Sequence, residues 1–349
     1  MIKVYIGQLL ENIPYLEVLY PNIKNTEQAS IFNEKIFDRF TQPVVTLVGD
    51  PVQADYLLIP HNFRYIKDKA EYIKNFTDAS ERYGKKILVF VVGDNDEYVQ
   101  IPDSIVFRNS QYGYKKLPNE IIIPGFTADL AKGTPRFRRK GEVPVVGFCG
   151  WAGYASFRNA LVDGLRNILI DIKSLFGNRL FAAHKKGVYF RKKAITALNR
   201  TSGIETNFII RTSYGAHRST IALDPEVSRK EYVDTMNNCD FALATKGDGN
   251  FSVRFYEALS LGRIPLLIDT DCVLPLEKDI DYSKFIVRVD YRNIKTAGEK
   301  VKEVYASMSE GEYLSMQRMA RQAFEEYLKI DIFFARIFTR EAIEQYSQA

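Results

Sequence analysis

Short apolar runs alternate with segments whose apolar residues recur at helical spacing along most of this 349-residue chain. IKVYIG (2–7) opens the series, and a helical pattern follows around Glu27–Phe40. VVTLVGD (44–50) and ADYLLIP (54–60) read as strands, and Ile66–Tyr83 reads as a helix. KILVFVV (86–92), SIVFRN (104–109) and EIIIP (120–124) read as strands again. Continuous apolar runs bounded by turn residues suit strands buried on both faces. The alternation therefore predicts mainly parallel sheets covered by helices.

The segment 123–144, IPGFTADLAKGTPRFRRKGEVP, breaks this rhythm with prolines, glycines and a basic cluster, and marks a domain junction. A second series starts with VPVVGFCG (143–150) and a helix near Ser156–Phe176. It continues with NFII (207–210), a helix from about Ser228 to Asn237, DFALAT (240–245), the helix Ser252–Leu261 and IPLLID (264–269). After Tyr291 the pattern is that of long amphipathic helix. The expected architecture is α/β, with two Rossmann-like domains facing a cleft. The boundaries expected are 1–135, 136–325, and a C-terminal helix over 326–349 returning toward the N-terminal domain. Ligands of such sheets sit at the carboxyl ends of the strands.

Composition narrows the class. A formal charge of +5 is too small to argue for nucleic acid, and suits an anionic small molecule or an acidic membrane surface. Three widely spaced cysteines (Cys149, Cys239, Cys272) have neither disulfide-framework nor metal-site spacing, so a reducing compartment is expected. The chain opens directly on a strand pattern and has no run of about 18 apolar residues, so a cytoplasmic protein is expected. The high share of Phe and Tyr suits filled cores and stacking surfaces.

The chemistry concentrates in KGDGNFSVRFYEALSLGRIPLLID (246–269). Strand DFALAT feeds the turn Lys246-Gly247-Asp248-Gly249-Asn250, then a helix that Asn250 or Ser252 can cap. A helix N-terminus behind a Gly-rich turn offers free N–H groups and partial positive charge, which suits a phosphate. Arg254 in the first turn opposes the helix dipole unless an anion joins it, and its guanidinium can grip phosphate oxygens in pairs. Glu257, one turn on, can accept from ribose hydroxyls. The competing reading is a solvated Arg254–Glu257 pair. Neither a Walker A loop nor a GxGxxG fingerprint is present.

Residues 228–287 resemble the exostosin-type glycosyltransferase signature. The matching positions are Phe241, Leu243, Gly247-Asp248, Ser252, Arg254, Glu257-Ala258-Leu259, Gly262 and Ile264-Pro265. Leu274-Pro275 and Asp281-Tyr282 with Phe285 continue the match. Ala242 and Arg263 stand where that family has cysteines, and Thr245 where it has proline; Arg263 is expected at the surface. GFCGWAGYASFRNAL (147–161) is similar to the family's Phe-x-Gly segment with a following helical arginine, which makes Gly150 and Arg158 candidate contacts. ADYLLIPHNF and EIIIP resemble its N-terminal strands.

The resemblance implies a GT-B fold and an inverting glycosyltransferase that needs no metal and no cofactor. It also implies a donor that is a nucleoside-diphosphate sugar, UDP- or GDP-linked, and an acceptor hydroxyl on a glycan or glycolipid. Such an enzyme serves polysaccharide biosynthesis. The alternative is a non-catalytic nucleotide-sugar or glycan-binding module on the same fold. Arg254, Arg158 and the helix N-terminus would steady the departing diphosphate, with Gly150, Lys246, Gly247, Asp248, Asn250, Ser252 and Glu257 as further donor contacts. The base is expected from the first domain: His61, directly after ADYLLIP, or Asp94 and Asp96 in VVGDND. A structural histidine and a polar turn are the competing readings. IDTDC (268–272) reads as a loop rather than a metal site, and RFRRK (136–140) and HKKGVYFRKK (184–193) as solvated basic faces. No nucleic acid is expected as partner; peripheral contact with a membrane stays open.

Overall fold

The computed structural model describes residues 1–23, 40–154, 156–213 and 223–348. The helical pattern expected around Glu27–Phe40 lies, apart from Phe40, outside the described residues. Strands β1 (Lys3–Tyr5), β2 (Thr46–Leu47), β3 (Tyr56–Leu58), β4 (Ile87–Val91), β5 (Ser104–Arg108) and β6 (Glu120–Ile122) lie in the first half. They form, among the described residues, a six-stranded parallel sheet in the order β2-β1-β3-β4-β5-β6. Every residue of β3 and β4 is buried, as unbroken apolar runs require of central parallel strands. Helix α1 (Ala70–Tyr83) covers one face, turning Tyr72, Phe76 and Ser80 inward at four-residue spacing.

The second half repeats the plan. Its strands are β7 (Val145–Trp151), β8 (Glu205–Arg211), β9 (Phe241–Thr245), β10 (Ile264–Asp269) and β11 (Val287–Asp290). They make a parallel sheet in the order β11-β10-β9-β7-β8 among the described residues. Helices α2 (Phe157–Phe176) and α3 (Gly187–Arg200) link β7 to β8. Helix α4 (Pro225–Asn237) precedes β9, and α5 (Val253–Ser260) links β9 to β10. The order reverses between β7 and β9, so a crevice opens at their carboxyl ends. Two such sheets in series give the GT-B arrangement.

Two elements escape the sequence pattern. The basic, aromatic run HKKGVYFRKK hides the start of α3, whose buried Phe190, Ala194, Ile195 and Leu198 follow helical spacing. Two of its four lysines are not a free face: Lys185 pairs with Asp171 and Lys186 with Asp163, fastening the start of α3 to α2, while Lys192 and Lys193 are exposed. Strand β11 is only four residues long and alternates buried with exposed positions.

The stretch after Tyr291 differs from the long helix expected. It is divided into α6 (Ala297–Ser307), α7 (Glu310–Ala323), α8 (Ile330–Ile337) and α9 (Arg340–Tyr346), with Phe324–Leu328 wound as π-helix. A capping box between Ser309 and Glu312 restarts the chain at α7. The breaks bring the tail back onto the first sheet. Phe334 lies 6.2 Å from Phe90 and Phe338 lies 5.6 Å from Phe107, ring centre to ring centre. The main chain joins in, with Ile2 N–H donating to the Phe338 carbonyl at 3.2 Å.

The junction is tied down as well. Arg138 of RFRRK is salt-bridged to the buried Asp240 at 2.8 Å. Arg263 is fully buried rather than exposed, and donates to the carbonyls of Arg136, Leu261 and Cys239. A guanidinium with several main-chain acceptors can be buried where an unpaired charge cannot. Among the described residues no helix is long and apolar enough to cross a membrane.

Candidate functional site

A cavity of about 440 Å³ opens at the crevice between β7 and β9. Cys149, Gly150 and Trp151 reach it from the end of β7, and Thr245, Gly247 and Asp248 from the end of β9. Asp94 and Phe126–Ala128 close it from the first domain and the junction. A volume of this order suits a ligand of nucleotide size.

The turn behind β9 is held by the first domain. Gly249 N–H donates to Asp94 Oδ1 at 2.9 Å, and Asn250 N–H to Ser110 Oγ at 2.7 Å. A Cβ on residue 249 would stand 2.7 Å from the Asp94 Cα, so only glycine permits this approach. Helix α5 then starts at Ser252, whose side chain makes no capping bond, so its first N–H groups face the cavity mouth uncapped by that hydroxyl.

Arg254 occupies the first turn of α5. Its Nη2 donates to the Cys149 carbonyl at 2.9 Å, and its guanidinium carbon lies 4.4 Å from the Phe148 ring centre. Its Nε is buried and has no hydrogen-bond partner within the protein. Gly150 makes room: its φ is +148°, and a Cβ there would sit 2.7 Å from Arg254 Nη2. Glu257 accepts from Arg229 at 2.9 Å and from the Tyr232 hydroxyl at 2.5 Å. It is a brace for α4 at the cavity wall rather than a free acceptor.

The cavity thus brings together Asp94, Gly150, Gly247, Asp248, Ser252, Arg254 and Glu257 from the residues expected. Five others stand elsewhere. Arg158 is exposed on α2 and does not line the cavity. Lys246 is buried, donating to the Tyr112 hydroxyl at 2.7 Å and the Ala183 carbonyl at 3.0 Å. The Asn250 side chain is consumed by Gln111, Thr270 and Asp271 carbonyls and the Thr270 hydroxyl. Both residues seal the domain contact behind the turn. Asp96 is paired with Lys115 at 2.9 Å: burial opposes its charge, but the lysine outweighs this and holds its carboxyl below the usual range.

His61 is the clearest departure. It is fully buried, with Nε2 accepting from Leu10 N–H at 2.9 Å and Nδ1 3.1 Å from the Pro14 carbonyl. This pattern fixes the tautomer with the proton on Nδ1 and leaves no nitrogen for a substrate. Burial also pushes the imidazole below its ordinary pKa. His61 is a strut for the loop after β1. His61→Ala is expected to cost roughly 3 kcal/mol of stability, by orphaning two buried backbone groups and leaving a hole. Transfer per folded molecule should survive; urea unfolding beside an activity assay checks this.

Three arginines were not expected. Arg191 on α3 donates to the Trp151 and Lys246 carbonyls, Arg211 ends β8, and Arg229 lies on α4; all line the cavity. The Nε of Arg211 is buried without a partner, like that of Arg254. Helical spacing places Arg191 on the same face as Ala194 and Ile195, which was the available signal. The carboxylates of IDTDC are engaged within the protein: Asp269 pairs with Arg288, and Asp271 accepts from Tyr114 N–H.

Behind the turn, His184 stacks on Tyr112 at 4.1 Å and meets the Tyr114 hydroxyl at 2.6 Å. Burial, and then the charge of Lys246, push its imidazole down to about 4. Burial likewise pulls the Lys246 ammonium down to about 8. For His184 the unfolded chain binds the proton more readily, so its contribution is complete above about 6.5 and is lost as pH falls toward about 4. Unfolding midpoints should therefore fall between pH 6.5 and 4, and His184→Gln should flatten that slope.

Comparison with known proteins adds a domain match. Residues 171–304 match the Exostosin GT47 domain. The exostosin-1 homolog of Caenorhabditis elegans is 26% identical over 130 residues, covering 35% of this chain and 33% of the relative. Exostosin-1 of Drosophila melanogaster is 33% identical over 81 residues, covering 23% of this chain and 11% of the relative. The chain thus spans a third or less of the length of these relatives. Among solved structures, Anabaena HepE in complex with UDP aligns over 99% of this chain and 100% of that one, at 11% identity and a TM-score of 0.41. TarM aligns over 75% of this chain and 55% of that one, at 9% identity and a TM-score of 0.34. The domain match and the two exostosin-1 alignments make this part of the chain similar to the exostosin family.

Proposed function

We propose that the chain moves a sugar from a nucleoside-diphosphate sugar, UDP- or GDP-linked, to a hydroxyl of a glycan or glycolipid. Transfer inverts the anomeric configuration and uses no metal. One observation carries the reading: Arg254 holds a buried, unpartnered Nε at the mouth of a nucleotide-sized cavity, beside the start of α5. A buried cation with an unused donor suits an anionic ligand group. Arg191 adds positive charge to the same wall, where Arg211 and Arg229 are paired with Glu231 and Glu257.

In this reading the diphosphate lies against Arg254 and the first turn of α5, and the sugar faces Asp94. The acceptor oxygen attacks the anomeric carbon as the bond from that carbon to the phosphate oxygen breaks. The bonding pair leaves with the diphosphate, and the acceptor proton passes to Asp94. Oδ1 of Asp94 already accepts from Gly249, so Oδ2 is the atom assigned to the proton. Positive groups aimed at the departing charge lower the barrier directly.

Thermal unfolding with UDP and with GDP in chelator tests donor binding. A ligand at 100 times its Kd should stabilise the protein by about 2.7 kcal/mol. No shift with either nucleotide would remove the reading. A shift without turnover of any sugar donor would favour a binding module.

A further inference from the structure

Helix α2 is built inside out for a protein surrounded only by water. Its inner stripe carries Asp163, Asn167 and Ser174, while Leu161, Leu165, Ile168 and Ile172 face outward and are exposed. Phe157 and Phe176 at its two ends are 84% and 90% exposed. At helical periodicity these apolar side chains fill one continuous arc of roughly 100°. An apolar face of this length, left in water, marks a docking surface.

Charge identifies what covers it. The helix has two acidic residues, and both are drawn into pairs with the start of α3, Asp163 with Lys186 and Asp171 with Lys185. Arg158, Arg166 and Lys173 are exposed beside the apolar arc, and have no ion-pair partner among the described residues. The face presented outward is therefore apolar, with Arg158, Arg166 and Lys173 along one margin, while Asp171 on the other is neutralised by Lys185. A second copy of the helix would bring an equally cationic face, whereas anionic headgroups above an acyl layer complement both features. We infer that α2 lies in the interface of an anionic lipid bilayer and holds the protein there by its Leu/Ile/Phe face. The helix starts just past Trp151 at the cavity wall, so the cavity is carried close to the membrane surface.

Flotation with phosphatidylcholine vesicles, with and without roughly 30% phosphatidylglycerol, tests this. The protein should float with the anionic vesicles and stay behind with neutral ones, and retention should weaken as salt rises. Leu165→Glu with Ile172→Glu should abolish flotation. Arg158→Gln, Arg166→Gln and Lys173→Gln together should reduce it by about tenfold or more. All five positions are solvent-exposed, so the fold should tolerate these changes, and circular dichroism checks it. Absence of flotation with anionic vesicles overturns the inference. So does flotation unaffected by Leu165→Glu with Ile172→Glu. A lipid-free dimer in sedimentation velocity that those two changes dissolve assigns the face to a second copy instead.

Discussion

Arg254→Ala is expected to lower turnover by about 10²–10³-fold, the loss typical of removing one donor to a developing anion. The guanidinium is held from two sides, by the Cys149 carbonyl and the Phe148 ring, so its direction is set before ligand arrives. Pre-set geometry is what makes such a contact count for catalysis rather than binding alone. Arg254→Lys keeps a charge but loses the planar fork, and should recover only part of the rate. Gly150→Ala should fail in the same direction without touching the arginine. The added Cβ would stand 2.7 Å from Nη2, and φ at this position is +148°. Steady-state kinetics on the three variants check this; Arg254→Ala with unchanged kcat would remove the assignment.

Asp94→Asn is expected to lower kcat by about 10²–10⁴-fold while UDP or GDP still binds. The amide oxygen can keep accepting the Gly249 N–H, so the turn should hold its place. What disappears is the capacity to take a proton. Retained transfer would move the base role to Asp248, the other cavity-lining carboxylate of the turn. His61 is not a rival, because both of its nitrogens are spent on backbone.

The sheets were legible because their strands are uniform apolar runs. Buried on both faces, such strands need no alternation, and β4 and β9 show it. Helix α3 was hidden by charge: Lys185 and Lys186 just ahead of it meet α2 acids, and no sequence pattern states which acid a lysine meets. The KGDGN turn was legible as a place, and two of its three side-chain directions were not. Lys246 and Asn250 point into the domain contact, since the neighbouring glycines let the turn approach the first domain closely. Arg191, Arg211 and Arg229 lie on three separate elements and meet only through the strand order. Helix α2 was legible as a helix. Its outward apolar face was not, because periodicity gives the stripe and not the side on which the sheet lies.

Incubation with UDP- and GDP-sugars in excess chelator, following release of the nucleoside diphosphate, is the most direct measurement. Wild-type protein should release it from at least one donor, with an acceptor product of inverted anomeric configuration by NMR, and Arg254→Ala should not. Release from no donor, or equal release by wild type and Arg254→Ala, would contradict a diphosphate site at α5.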